Sequence, residues 1–143
     1  RVTHQSFDAL THLTGSFTGL TQNTTRAHMT QAILEGVAFA FADCQQVIED
    51  SGVNINTISV VGGGARSTYW GTILASVLGR RCQYHKDATV GPAFGAARLA
   101  LISSGASVES VATAPPIDFM AQPDSVLGDE LAERLVRYRS QGV

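Results

Sequence analysis

The stretch Thr57-Ile58-Ser59-Val60-Val61 runs without a break into Gly62-Gly63-Gly64 and then into a helix-forming segment. β-Branched side chains restrict χ1 and sit well on a pleated surface, so the run predicts a short buried strand. Glycines directly after it let the backbone turn sharply. Ser67 or Thr68 can cap a helix reaching about Leu78, and Gly79 can end it. A strand passed through a glycine turn into a helix leaves few fold classes open. Upstream, Thr24 or Thr25 can cap a long helix to about Asp50, with Gly52 beyond it. Downstream, Arg81 to Tyr84 predicts a second short strand, and Val90-Gly91-Pro92 opens a third helix to about Ser103, closed by Gly105. Helix, strand, helix, strand and helix in alternation point to an α/β layer with parallel strands.

Two strands are too few for a free-standing sheet. The chain of 143 residues is therefore expected to be part of a larger domain whose other strands lie elsewhere, and Arg1 in place of an initiator Met agrees with that expectation. Residues 1–23, polar and Thr-rich, read as an irregular lead-in. Residues 106–143 read as a tail, with a loop at Ala114-Pro115-Pro116 and a charged terminal helix from about Ser125 to Ser140. On the long helix, Ile33, Val37, Ala40, Phe41, Cys44, Val47 and Ile48 share one stripe. The missing sheet partners predict an exposed apolar edge and hence self-association.

Hydrophobic residues make up 44% of the chain and charged ones 15%, which excludes a disordered segment. A net charge of −2, with Arg80-Arg81 the longest basic run, gives no footprint for nucleic acid or an anionic membrane. The apolar run from Val37 to Ala42 is too short to span a bilayer. No charged segment followed by a signal core opens the sequence, so a cytoplasmic protein is expected. Cys44 and Cys82 cannot make a disulfide framework and read as reduced, buried thiols.

Chemistry can be sought in three places. The helix beginning near Ser67 aims its free N–H groups and positive dipole end at the glycine turn, where an anion is stabilised. A glycine surface without Cβ atoms could also lie flat against a base or ribose. The spacing fits neither Gly-x-Gly-x-x-Gly nor a Gly-Lys-Ser/Thr phosphate loop. Three glycines in such a turn therefore fit plain turn chemistry as well as a ligand site. Gly91, Gly95 and Ala96 leave a smooth helix face suited to close packing, as do Gly36 and Ala40 on the long helix. Arg26 and His28 place a cation and an imidazole on the long helix's first turn, where an acidic or phosphate partner or plain solvent would suit them. The four histidines, His4, His12, His28 and His85, show no metal-ligand spacing, and no nucleophile elbow is present.

Taken in order, the segments are more specific than any of them alone. Gly15 to Thr21, Ala32 to Ala40, Thr57 to Trp70, and Val90-Gly91-Pro92-Ala93-Phe94-Gly95-Ala96-Ala97-Arg98-Leu99-Ala100 together resemble the C-terminal domain of the FGGY carbohydrate kinases, within the actin-like ATPase superfamily. Within that family the segments look like members that phosphorylate D-xylulose. It implies an actin-like, ribonuclease H-like α/β domain with a mixed sheet flanked by helices and a C-terminal helix. It also implies a two-domain ATP-dependent kinase that uses Mg²⁺ and turns D-xylulose into D-xylulose 5-phosphate. Gly62 to Ser67 match the family's adenosine motif, so Gly63, Gly64 and Ala65 would line the adenine and ribose site, with Arg66, Ser67 and Thr68 as near neighbours. Gly91, Gly95 and Ala96 match a helix that packs at the interdomain hinge. The family's sugar site, catalytic aspartate and first phosphate loop belong to an N-terminal domain, which would be this chain's partner. No catalytic residue is therefore expected among these 143 residues.

Overall fold

The computed structural model describes residues 15–86, 88 and 91–140. Helix α1 spans Arg26–Asp50. Thr25 caps it in a reciprocal arrangement: its hydroxyl accepts from the His28 N–H at 3.2 Å, and His28 Nδ1 accepts from the Thr25 N–H at 3.3 Å. The imidazole read as a feature of the first turn is thus part of the cap. Strand β1 is Ile58–Val60, a 3₁₀ turn covers Gly63–Arg66, and α2 spans Thr68–Leu78. Strand β2 is Cys82–His85, α3 is Gly91–Ser103, and α4 is the single turn Val108–Val111. Strand β3, Ile117–Ala121, and α5, Ser125–Ser140, complete the described chain.

The sheet order is β1-β2-β3. β1 and β2 are parallel, with Ile58 opposite Cys82 and Val60 opposite Tyr84. β3 runs antiparallel to β2 and was read from sequence only as part of the tail. Its side chains are mostly exposed, with Phe119 half-buried and Ala121 buried, so they carry little apolar alternation.

The core lies on one face of the sheet. Val60, Cys82 and Tyr84 meet Ile73, Leu74 and Ala75 of α2, Ala38 and Phe39 of α1, and Leu131 of α5. Tyr84 stacks on Phe119 with ring centroids 4.1 Å apart, and Phe39 packs against Tyr138 at 5.5 Å. Glu35 is buried in α1, where Gln31 Nε2 donates to it at 2.8 Å and the Arg134 guanidinium of α5 pairs with it. That pair closes the terminal helix over the core.

Two expectations are corrected. The apolar stripe of α1 is not the buried face: Ile33, Val37, Phe41, Val47 and Ile48 are exposed, while Glu35, Ala38 and Phe39 are buried. Cys44 is exposed, and only Cys82 is a buried thiol. Periodicity groups residues on a face, but a partner must arrive to cover it. Among the described residues none covers this stripe. Helix α3 likewise buries no side chain.

Candidate functional site

The turn after β1 is held by its own backbone. Gly62 sits at φ +88°, a conformation that L side chains rarely adopt, and its N–H donates to Ala88 O at 2.7 Å. The Ala65 N–H returns to Gly62 O at 3.0 Å and the Ser67 N–H to Gly64 O at 3.1 Å, which closes the 3₁₀ turn. Ala65 is half-buried against the core, whereas Arg66 and Thr68 are exposed. Ser67 caps α2: its Oγ accepts from the Trp70 N–H at 3.1 Å. That hydroxyl is committed to the helix, and Thr68 O accepts from Thr72 Oγ1 at 3.3 Å.

The glycines are not equivalent. A Cβ on Gly64 would run into the Trp70 ring, 2.9 Å from Cε3 and closer still to Cζ3. Trp70 is the floor of the turn, and its Nε1 donates to Leu34 O at 3.3 Å, which ties that floor to α1. A Cβ on Gly63 would meet nothing within 4 Å, and Gly63 is exposed. The turn therefore has one glycine required by backbone conformation, one by packing, and one whose bare face is turned outward. No local signal says that Trp70 supports Gly64, because the contact depends on how α1 and α2 pack.

The α3 residues are only partly brought to this turn. A Cβ on Gly91 would lie 3.2 Å from Val61 Cβ and 3.8 Å from Gly62 N, so the start of α3 packs closely behind the glycine turn. Gly95 and Ala96 are exposed, with nothing within 4 Å of a Cβ at Gly95. Farther along, Arg98 lies over the Phe94 ring at 4.2 Å and bonds Thr113 O. Ser59 and His85 form a polar pair on the sheet face away from the core. His85 Nε2 lies 3.2 Å from Ser59 Oγ and its Nδ1 2.8 Å from Pro115 O. They border a cleft of about 620 Å³ beneath α3.

Among the described residues no three His, Cys, Asp or Glu side chains stand together as a metal cluster, and no helix is long and apolar enough to cross a membrane. Burial pushes the Cys82 thiol upward. Burial, with the neighbouring Cys82 adding to it, pushes Tyr84 up to about 12. Both groups belong to the core, away from the glycine turn.

Known proteins share this fold. Residues 5–104 match the family described as FGGY family of carbohydrate kinases, C-terminal domain. Xylulose kinase of Escherichia coli K12 is 37% identical over 113 residues, which cover 78% of this chain and 23% of that protein. The crystal structure of a xyloylose kinase from Brucella ovis superposes with a TM-score of 0.78 at 37% identity, covering 92% of this chain and 27% of its own. Xylulose kinase from Rhodospirillum rubrum gives a TM-score of 0.71 at 29% identity over 91% of this chain and 27% of its own. The chain thus spans about a quarter of the length of these relatives.

Proposed function

We propose that this chain, which belongs to the FGGY family of carbohydrate kinases, supplies the adenosine-binding surface of an ATP-dependent kinase that phosphorylates D-xylulose to D-xylulose 5-phosphate. Its mixed sheet with flanking helices is the actin-like ATPase fold of that family. The observation that carries the reading is the bare outward face of Gly63, held between Gly62, at positive φ, and the Trp70-backed Gly64, just ahead of α2. A flat base or ribose can approach such a face to backbone distance, which a Cβ would prevent. Gly62, Gly63, Gly64 and Ala65 form the seat, and Arg66 and Thr68 stand exposed at its rim. Ser67 contributes by fixing the start of α2 rather than by offering its hydroxyl.

Phosphoryl transfer relies on metal, phosphate clamps and positioning acting together. Mg²⁺ bound with ATP would neutralise phosphate charge. By the family's pattern, the sugar site and the catalytic base would belong to an N-terminal kinase domain. Gly91, Gly95 and Ala96 form the small-residue face of α3 against which that domain would hinge, and Gly91 already packs closely on Val61. On this reading the isolated chain binds ADP or ATP weakly and phosphorylates no sugar.

Calorimetric titration of ADP tests the assignment. Gly63→Val fills the open face, and its Cβ meets nothing within 4 Å, so it is expected to abolish ADP binding while leaving the urea midpoint close to that of the parent. Unchanged ADP affinity in Gly63→Val would remove the glycine turn from the site. Formation of D-xylulose 5-phosphate by the chain alone would overturn the division of labour. A kinase acting on another ketose or polyol is the second reading, supported by the family match and separable by a substrate panel on a longer kinase containing this segment.

A further inference from the structure

Four side chains from three helices form one polar chain that ends on the first turn of α2. Glu35 of α1 is buried, only 7% exposed. The Arg134 guanidinium of α5 pairs with its Oε1, and the same oxygen accepts from Gln31 Nε2 at 2.8 Å. Gln31 Oε1 accepts from the Tyr69 hydroxyl at 2.6 Å. Chemistry fixes the direction of each bond. A carboxylate only accepts, so Gln31 must turn its NH₂ to Glu35 and its carbonyl to Tyr69, whose hydroxyl must then donate.

The residue after Tyr69 is Trp70, whose Nε1 donates to Leu34 O at 3.3 Å. Helix α1 thus grips two consecutive residues of α2 from positions 31 and 34, about one helical turn apart. Trp70 lies under Gly64 with no room for a Cβ between them, and its N–H donates to the Ser67 cap at 3.1 Å. A rotation of the first turn of α2 therefore carries the floor of the glycine turn with it. Stability alone does not call for such a chain. Exchanging a buried ion pair for apolar groups of similar volume is often neutral or stabilising. Tyr69 is 59% exposed, so water could serve its hydroxyl as well as Gln31 does. What the chain adds is one defined orientation. Arg134 lies beyond the family-matched residues 5–104, so the chain also joins the terminal helix to the turn.

We propose that Glu35 is a positioning residue for the nucleotide seat. Held by Arg134, it orients Gln31 and through it Tyr69, and so sets the angle at which α2 backs the bare face of Gly63. The proposal rests on the reading of Gly62 to Ala65 as that seat.

ADP titration of a small set of variants, with urea unfolding alongside, tests it. Glu35→Met together with Arg134→Met removes the polar link while filling the same space. It should weaken ADP binding about three- to tenfold and leave the urea midpoint at or above the parent's. Tyr69→Phe deletes one hydroxyl at an exposed position, so it should weaken binding by a similar factor with the midpoint close to the parent's. The three substitutions together should weaken binding no further than either set alone, because both break the same link. Arg139→Ala breaks the other pair between α1 and α5, with Asp43, and should keep the parent's affinity. Parent affinity in the methionine pair or in Tyr69→Phe would overturn the proposal. So would losses that add, which would put the Tyr69 hydroxyl on ADP itself. Gly63→Val separates this failure from that of the seat. If it abolishes ADP binding while the other variants bind as the parent does, only the positioning role falls. A parent that binds no ADP, or a Gly63→Val chain that binds as the parent does, removes the seat and the proposal together.

Discussion

Replacing Gly64 by alanine should destabilise this fold more than its size suggests. The new Cβ would sit 2.9 Å from Trp70 Cε3 and nearer still to Cζ3. Carbon atoms prefer separations of about 3.5–4.0 Å, so the indole must move by roughly 1 Å. It cannot do so freely, because its Nε1 is bonded to Leu34 O on α1 and its backbone N–H to the Ser67 cap. Overpacking costs about 1–3 kcal/mol, and loss of the indole bond adds about 1 kcal/mol. With a urea slope of about 2 kcal/mol/M, a total of about 2–4 kcal/mol lowers the midpoint by about 1–2 M. Trp70 is the single tryptophan, so its emission reports this contact directly. The assay is urea unfolding followed by both far-UV circular dichroism and tryptophan fluorescence. Gly63→Ala, whose Cβ meets nothing within 4 Å, is the control and should stay within about 0.5 kcal/mol of the parent. If Gly64→Ala keeps the parent's midpoint and emission maximum, the glycine turn does not rest on Trp70.

Tyr84 makes stability fall at high pH. Among the described residues its hydroxyl has no hydrogen-bond partner, and it is pushed from 10.0 up to about 12, first by burial and then by Cys82. The unfolded tyrosine therefore ionises before the folded one, so its contribution to stability is full below pH 10 and is lost between about 10 and 12, by at most about 3 kcal/mol. Urea midpoints measured across that window should show the decline, and Tyr84→Phe should flatten it. Gly71→Ala places a Cβ against Tyr84 Oη and 3.0 Å from its Cζ, so a double-mutant cycle should show Tyr84→Phe relieving part of the damage. Arg134→Ala leaves the buried Glu35 without its guanidinium partner and should cost about 1–3 kcal/mol in urea unfolding. Arg139→Ala, which breaks an exposed pair with Asp43, should cost under about 1 kcal/mol by the same measurement. Thr25→Ala removes the α1 cap and should cost about 1 kcal/mol.

The parts legible in the sequence are those decided by neighbouring residues. A β-branched run entering three glycines, Ser67 ahead of α2 and Gly79 after it are local statements, and the structure has the strand, the cap and the left-handed stop in those places. Parallel pairing of β1 with β2 follows from a helix lying between them. β3 was not legible, because it is held by its ladder with β2 and its side chains are mostly exposed. Burial along α1 was misjudged for a related reason. The apolar stripe is the better amphipathic signal, but the face that meets α2 and α5 holds Glu35, whose partner Arg134 lies far along the chain. The glycine turn stood between the two cases. Its backbone role could be read from residue type, whereas the separate duties of Gly62, Gly63 and Gly64 depend on Ala88 and Trp70 brought in from outside the run.

The central claim is that the turn from Gly62 to Thr68 seats a nucleotide. Titration of ADP into the ¹⁵N-labelled chain, followed amide by amide, tests it most directly. The account predicts saturable shifts centred on Gly62, Gly63, Gly64 and Ala65 and extending to Arg66 and Thr68, lost in Gly63→Val while the rest of the spectrum stays folded. Shifts confined to residues outside that turn, or none at ADP concentrations well above those in cells, would contradict it.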